Sequence, residues 1–127
     1  MRFLIADDND LNAEILEELL KMEGADCDRA VNGKEAVEMF ARAEEGRYNI
    51  ILMDIKMPVM NGYDATKEIR RLEKKEAAKI PIFAMTANAF AEDIRTCMEA
   101  GMDAHIAKPV DLDLLEENIR IYMQAKA

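Results

Sequence analysis

The chain is short of several residue types on which enzymes often rely. It has no serine and no tryptophan, a single histidine, His105, and only two cysteines, Cys27 and Cys97. A Ser-His-Asp triad is therefore excluded, and a zinc site built from histidines would have too few ligands. The two cysteines are too widely spaced for a metal-binding motif, and we interpret them as reduced thiols. Any chemistry must come from carboxylates, threonines and lysines.

Long apolar runs are missing as well, and basic residues are in deficit. No segment approaches the length of a membrane-spanning helix, so membrane insertion is not expected. The 17 basic residues are outnumbered by 26 acidic ones, which gives a formal net charge of -9. This charge disfavours direct binding to nucleic acid and favours cations and proteins as ligands. We expect a single domain over residues 1–127, located in the cytoplasm. The sequence leaves its oligomeric state open.

The stretch around Asp54 has the pattern of a buried strand that ends at a charged residue. Four apolar residues at positions 50–53 lead directly into Asp54. A short apolar run of this kind is typical of a strand buried on both faces, so Asp54 must emerge at the rim of the sheet. Asn61 and Gly62 then indicate a loop, and a helix is predicted from Asp64, as N-cap, to about Lys75.

The rest of the chain alternates between strands and amphipathic helices. The other predicted strands cover residues 2–6, 25–31, 80–87 and 103–109, and the other predicted helices cover residues 10–22, 34–45, 90–100 and 110–124. We expect Asn9 or Asp10 to cap the first helix and Asp111 or Asp113 to cap the last. Five strands alternating with five helices predict an α/β fold with a five-stranded doubly wound parallel sheet. Placing the two polar strands at the edges gives the order 2-1-3-4-5 of flavodoxin-like folds.

This strand order brings acidic side chains together at one edge of the sheet. Asp7 and Asp8 follow strand 1 and Asp54 ends strand 3, and the carboxyl ends of these neighbouring strands form the topological switch point. Two unit charges about 4 Å apart repel by roughly 4 kcal/mol at an effective dielectric of about 20, so the cluster needs a cation. Oxygen ligands at a partly open site favour Mg²⁺, with Mn²⁺ as a substitute.

Strands 4 and 5 add a hydroxyl and an ammonium at the same edge, from Thr86 and Lys108. A metal, a hydroxyl and an ammonium around one carboxylate suit a dianionic phosphoryl group, because charge stabilisation and positioning account for most of phosphoryl transfer. Asp54 is then a nucleophile that forms an acyl phosphate. Taken singly, each residue also has a purely structural interpretation, as a helix cap, a strand-end hydroxyl or a solvated lysine.

Four segments together resemble the response-regulator receiver domain. They are the DD pair at Asp7 and Asp8, DIKMPVMNGYDA beginning at Asp54, TANA beginning at Thr86, and GMDAHIAKP, which ends at position 109. The similarity covers nearly the whole chain. It is greatest to receivers attached to hybrid sensor histidine kinases.

The resemblance implies a metal site and a phosphoacceptor. Mg²⁺ would be bound by Asp8, Asp54 and the main-chain carbonyl of Lys56, with Asp7 often acting through water. Asp54 would accept a phosphoryl group from a histidine kinase or a histidine phosphotransfer protein. Lys56 and Asn88 would line the approach to that group. The domain would catalyse its own phosphorylation and dephosphorylation, a signalling role rather than that of an enzyme with a separate substrate.

The resemblance also implies a switch that responds to phosphorylation. Thr86 and Lys108 would bind phosphoryl oxygens, the Lys108–Pro109 bond would be cis, and the surface formed by strand 4, helix 4 and strand 5 would change. Thr86 would be coupled to an aromatic residue on strand 5, but His105 occupies the position of the usual Tyr or Phe. Imidazole is smaller and titratable, so His105 is either a switch that packs inward or outward, or a surface histidine without that role.

Two other functions stay open as alternatives. A Mg²⁺-dependent phosphohydrolase with an aspartyl nucleophile normally has a general acid two residues after the nucleophile, where this chain has Lys56. A flavin binder of the same fold needs a loop rich in Ser, Thr and Gly after strand 1 to hold the phosphate. This chain has DDND there, which would repel phosphate, and fold alone does not decide between the functions.

Helix 1 has a wider apolar arc than its core contacts require. Its apolar side chains are Leu11, Ala13, Ile15, Leu16, Leu19, Leu20 and Met22. They sweep roughly 200 degrees, about twice the stripe that a surface helix needs. We assign the exposed flank to Leu11 and Ile15 and expect helices of the phosphodonor to dock there. The alternative is that neighbouring loops bury both flanks.

Overall fold

A sheet of five parallel strands forms the centre of the fold. In the computed structural model, which describes residues 1–87 and 91–126, these strands lie in the order β2-β1-β3-β4-β5. Their bounds are Arg2–Ala6 (β1), Asp26–Ala30 (β2), Ile50–Asp54 (β3), Ile82–Thr86 (β4) and Ala104–Ala107 (β5). The predicted α/β class, parallel sheet and strand order are confirmed.

Five helices in the described ranges cover the two faces of this sheet. They span Asp10–Met22 (α1), Gly33–Arg42 (α2), Gly62–Arg70 (α3), Ala91–Ala100 (α4) and Leu112–Lys126 (α5). Because successive side chains of a strand point to opposite faces, the sheet supports two cores. Leu52 packs in one core with residues of α1 and α5, and Met53 packs in the other with residues of α2, α3 and α4. Within the described part of the chain, no helix is long and apolar enough to cross a membrane.

Polar side chains cap the starts of α1 and α5. Asn9 caps α1, as one of the two predicted candidates, by accepting the backbone N–H of Asn12 at 3.0 Å. Asp111, rather than Asp113, caps α5, because its Oδ1 accepts the N–H of Asp113 at 2.9 Å. The predicted start of the fourth helix near Phe90 lies outside the described residues.

The start of α3 and the end of α2 differ from their predicted positions. Asn61 rather than Asp64 caps α3, because the Asn61 side chain accepts the backbone N–H of Asp64 at 2.9 Å. Helix α2 ends at Arg42 and not at residue 45. Positions 44 and 45 are glutamates, whose negative charge is unfavourable beside the carbonyls of a helix C-terminus, and Gly46 follows with a φ of +82°.

The predicted end of α3 near Lys75 is also wrong. The helix stops at Arg70, whose Nη1 donates to the carbonyls of Ala77 and Ile80 at 3.0 and 2.8 Å. These bonds hold the following segment, residues 71–80, in turns against the end of the helix. Tertiary hydrogen bonds therefore override the helical pattern of the sequence.

A close backbone contact holds the start of α3 against the end of β3. The N–H of Gly62 donates to the carbonyl of Ile55 at 2.9 Å. A Cβ atom at Gly62 would lie 2.3 Å from the carbonyl oxygen of Asp54, so only glycine fits. This contact fixes the backbone on which the Asp54 side chain is mounted.

Candidate functional site

Three carboxylates meet at the carboxyl ends of β1 and β3. Asp7 and Asp8 follow β1, and Asp54 is the last residue of β3. One carboxylate oxygen from each of the three lies within 4.8 Å of the others. Asp7 is only 1% exposed and Asp54 only 6% exposed, whereas Asp8 is exposed. The structure therefore brings the three predicted acidic residues into one pocket, with Asp8 at its mouth.

Lys108 supplies positive charge to this acid pocket. Its Nζ lies 2.9 Å from Asp54 Oδ2 and 3.3 Å from Asp7 Oδ2. The backbone delivers Lys108 to this position because its N–H donates to the carbonyl of Thr86 at 2.8 Å, continuing the pairing of β5 with β4. The Lys108–Pro109 peptide bond is cis, as predicted.

Burial and repulsion make the acid pocket unfavourable for a carboxylate without additional positive charge. Burial raises the pKa of Asp54 above its ordinary value, the charges of Asp7 and Asp8 act in the same direction, and Lys108 opposes them. Burial alone would lower the pKa of Lys108, but its hydrogen bond and attraction to Asp54 and Asp7 outweigh burial and raise that pKa. The ammonium is therefore held in its charged form, and a further cation would stabilise the Asp54 carboxylate.

The donor set of the pocket fits Mg²⁺. Its three carboxylates offer only oxygen ligands, and the one from Asp8 is accessible to solvent. A hard cation that keeps some of its water ligands suits such a partly open oxygen site. Lys56 lies two residues beyond Asp54, in the wall of a surface depression that Asp8 also lines. Its main-chain carbonyl stays a predicted ligand.

Thr86 and His105 lie on the same face of the sheet. Residue 84 is in register with His105 and residue 86 with Ala107, and paired residues of neighbouring strands point to the same side. This is the face covered by α3 and α4, where Ala84 packs. Thr86 is buried and His105 is half-buried. Asn88, expected on the approach to the phosphoryl group, lies outside the described residues.

The apolar flank of α1 is exposed where it was predicted. Leu11 is 65% exposed and Ile15 is 50% exposed, whereas Leu16 and Leu20 on the other side of the helix are buried. The alternative that loops bury both flanks is therefore wrong. Because α1 begins just after the acidic pair, this flank lies beside the acid pocket.

A groove joins this flank to the acid pocket. It encloses about 370 Å³ and has a mainly apolar wall that includes Ile15, Leu19, Pro109 and Val110. Asp7 and Lys108 line the same groove. Sequence reasoning missed Pro109 and Val110 as part of this surface, although their place directly after Lys108 was the available signal.

The fold and the acid pocket define a class of protein, a flavodoxin-like domain with acidic side chains and a lysine at its switch point. The response regulator receiver domain family matches residues 3–120, and the chain belongs to that family. A curated relative, the hybrid signal transduction histidine kinase L of Dictyostelium discoideum, is 36% identical over 122 residues, which cover 95% of this chain and 7% of that protein. The chain thus spans a small part of the length of such relatives.

Two solved structures of receiver domains are similar to this chain. One is the receiver domain of the sensor histidine kinase PA1611 from Pseudomonas aeruginosa, with a magnesium ion coordinated in its active site cleft. It has a TM-score of 0.84 and 34% identity, over 97% of each chain. The other is the receiver domain of the response regulator Ssk1 from Saccharomyces cerevisiae, in complex with the histidine phosphotransfer protein Ypd1. That match has a TM-score of 0.83 and 33% identity, over 94% of this chain and 86% of that one.

Metal titration should separate the roles of Lys108 and Asp8. Lys108→Ala removes an ammonium from among the carboxylates, so we expect Mg²⁺ to bind at least as tightly as to the wild type. Asp8→Ala removes an oxygen ligand, and we expect the affinity to fall by at least about tenfold, the loss typical even of outer-shell groups. Isothermal titration calorimetry measures both, with Lys75→Ala, at the opposite end of the sheet, as the control. Equal impairment in Lys108→Ala and Asp8→Ala would contradict this separation.

Proposed function

We propose that this domain accepts a phosphoryl group on Asp54, in a Mg²⁺-dependent transfer from a phosphohistidine. The observation that supports this most directly is the geometry at Asp54. Its carboxylate lies 2.9 Å from the Lys108 ammonium and within 4.8 Å of oxygens from Asp7 and Asp8. A nucleophile beside both a fixed ammonium and a cation-binding cluster suits the charge of a phosphoryl group. The magnesium ion in the similar PA1611 receiver is consistent with the metal.

The chemistry is a displacement at phosphorus. An oxygen of the Asp54 carboxylate attacks, the bond from phosphorus to the imidazole nitrogen of the donor breaks, and its electron pair leaves with the imidazole, which takes up a proton. Lys108 contacts a phosphoryl oxygen while its hydrogen bond to Asp54 orients the nucleophile. Asp8, Asp54 and the Lys56 carbonyl would hold Mg²⁺, with Asp7 acting through water. When bound, the ion supplies positive charge that offsets the charge of the phosphoryl group.

The same site would remove the phosphoryl group by hydrolysis. Water attacks the phosphorus of the acyl phosphate, and the Asp54 carboxylate leaves. The domain would thus catalyse reactions of its own Asp54, which is a signalling role. We expect this role to be carried out in the cytoplasm.

Thr86 would respond to phosphorylation of Asp54. Its hydroxyl would turn toward a phosphoryl oxygen and change the surface formed by β4, α4 and β5. Thr86 is in register with the small Ala107, and His105 lies two residues before Ala107 on the same face of the sheet. We therefore propose His105 as the side chain on β5 that changes position when Thr86 moves.

The donor would dock on α1. A histidine kinase or a histidine phosphotransfer protein presents its histidine on a helix of a bundle, and the exposed Leu11 and Ile15 flank would pack against such helices. The groove beside Ile15 leads to Asp7 and Lys108, so a docked helix would bring its histidine toward Asp54. The similarity to Ssk1, whose receiver domain is seen with Ypd1, supports a partner of this kind.

The alternative function, a small Mg²⁺-dependent phosphohydrolase, is less well supported. Such an enzyme would need a general acid two residues after the nucleophile. Lys56 stands there, and its exposed ammonium cannot act as the carboxylic acid of that mechanism. The acid pocket therefore favours acceptance of a phosphoryl group over turnover of a small substrate.

Intact-mass measurement tests the phosphoacceptor. With Mg²⁺ and a small-molecule acyl phosphate, the wild type should gain the mass of one phosphoryl group, in a form labile to hydroxylamine. Asp54→Asn should gain none, because the amide is not a nucleophile. Asp64→Asn, which changes an exposed aspartate of α3, should behave as the wild type. Phosphorylation that persists in Asp54→Asn, or that needs no divalent cation, would disprove the proposal.

Transfer from a phosphorylated histidine protein tests the docking surface. Ile15→Glu should fold normally and accept phosphate from a small molecule, yet lose transfer from a cognate donor by at least about tenfold, because it places a charge at the centre of the apolar flank. Met22→Glu is a matched control, since Met22 is 81% exposed at the far end of the same helix. Unimpaired transfer to folded Ile15→Glu would show that the donor docks elsewhere.

A further inference from the structure

The Arg29 side chain lies across the backbone of the acidic loop. Its Nε and Nη2 donate to the main-chain carbonyl of Asp7 at 3.1 and 2.8 Å, and its Nη1 donates to Asp10 Oδ1 at 2.8 Å. Arg29 is on β2, in register with Ile5 of β1, so its side chain must extend along the sheet to reach this loop. One guanidinium therefore joins the end of β1 to the first residue of α1.

We propose that Arg29 is a positioning residue for the metal site. This role rests on the proposed function, because it concerns the same acid pocket. Arg29 does not contact the reacting atoms; it holds the loop residues 7–9, and so the carboxylates of Asp7 and Asp8, in the geometry that binds Mg²⁺.

Every polar atom of Asp7 is engaged in this arrangement. Its N–H donates to the carbonyl of Ala30 at 3.1 Å, and its carbonyl accepts the two bonds from Arg29. Its Oδ1 accepts the N–H of Asn9 at 2.9 Å, and its Oδ2 accepts from Lys108 at 3.3 Å. The two bonds from Arg29 reach the Asp7 carbonyl, which belongs to the peptide that leads to Asp8. Arg29 therefore acts on the orientation of that peptide, and with it on the direction of Asp8.

The pairing of Arg29 with Asp10 does not explain this conformation by itself. The Asp10 side chain is largely exposed, and surface ion pairs contribute little to stability. The two bonds to the Asp7 carbonyl are partly buried, and the planar guanidinium fork fixes their direction. The carbonyl contact is therefore the part of the interaction that positions the loop.

An electrostatic effect and a positioning effect of Arg29 would change the affinity for Mg²⁺ in opposite directions when Arg29 is removed. Arg29→Met removes a positive charge near an acid pocket, so a purely electrostatic effect would tighten the binding of Mg²⁺. Loss of positioning would weaken it, because the carboxylates would have to be ordered when the ion binds. The sign of the change in affinity therefore distinguishes the two effects.

Calorimetric titration with Mg²⁺ tests this role, with circular dichroism as a check of folding. We expect Arg29→Met to bind Mg²⁺ roughly tenfold more weakly than the wild type, as is typical for residues that hold metal ligands. Arg29→Lys, which keeps the charge but loses the fork, should show a smaller loss in the same direction. Arg47→Met is the matched control: it makes the same change in charge, but Arg47 pairs with Asp28, away from the loop.

A second readout does not depend on the metal. In the apo protein, the amide proton of Asn9, which donates to Asp7, should exchange with solvent faster in both Arg29 variants and at the wild-type rate in Arg47→Met. Binding of Mg²⁺ to a folded Arg29 variant as tightly as to the wild type, or more tightly, would overturn this role. Absence of Mg²⁺ binding in the wild type would instead overturn the proposed function, and the positioning role with it.

Discussion

The ammonium of Lys108 between the carboxylates of Asp54 and Asp7 is the interaction on which the site depends. Lys108 is 54 residues from one partner in sequence and 101 from the other, so the contact exists only when β1, β3 and β5 are assembled in one sheet. Without the ammonium, buried carboxylates would face one another at a distance where repulsion amounts to several kcal/mol, on the order given by Coulomb's law at an intermediate dielectric. The ion pair therefore forms only in the folded protein. Because one ammonium does not neutralise three carboxylates, the site favours a further cation.

Much of this architecture can be predicted from local patterns in the sequence. The apolar run before Asp54 is typical of a buried strand, and the polar strands around positions 28 and 105 fit the edges of the sheet. Once the strand order is known, the geometry of a parallel sheet brings every strand end with a functional group to the same rim. The convergence of Asp7, Asp54 and Lys108 is therefore a consequence of topology, which explains why a few local patterns predicted it.

Other features depend on contacts that no local pattern displays. Arg70 ends α3 early by bonding to carbonyls of the following turns, although the helical periodicity continues beyond it. The exposed side of α1 was predicted correctly, but periodicity defines only the width of an apolar arc and not the edge that faces the sheet. The contact of Arg29 with the Asp7 carbonyl joins residues 22 positions apart through a backbone atom, so side-chain chemistry alone gives no sign of it.

We propose that the acid pocket, the Lys108 ammonium and a bound Mg²⁺ act together to hold a phosphoryl group on Asp54. The most direct test is a crystal structure with Mg²⁺ and trifluoroberyllate, a mimic of a phosphoryl group that bonds to carboxylate oxygen. We expect trifluoroberyllate on Asp54, with the Lys108 ammonium against a fluorine and Mg²⁺ bound by Asp8 and Asp54. Trifluoroberyllate bonded to another residue, or Mg²⁺ bound away from these carboxylates, would contradict this proposal.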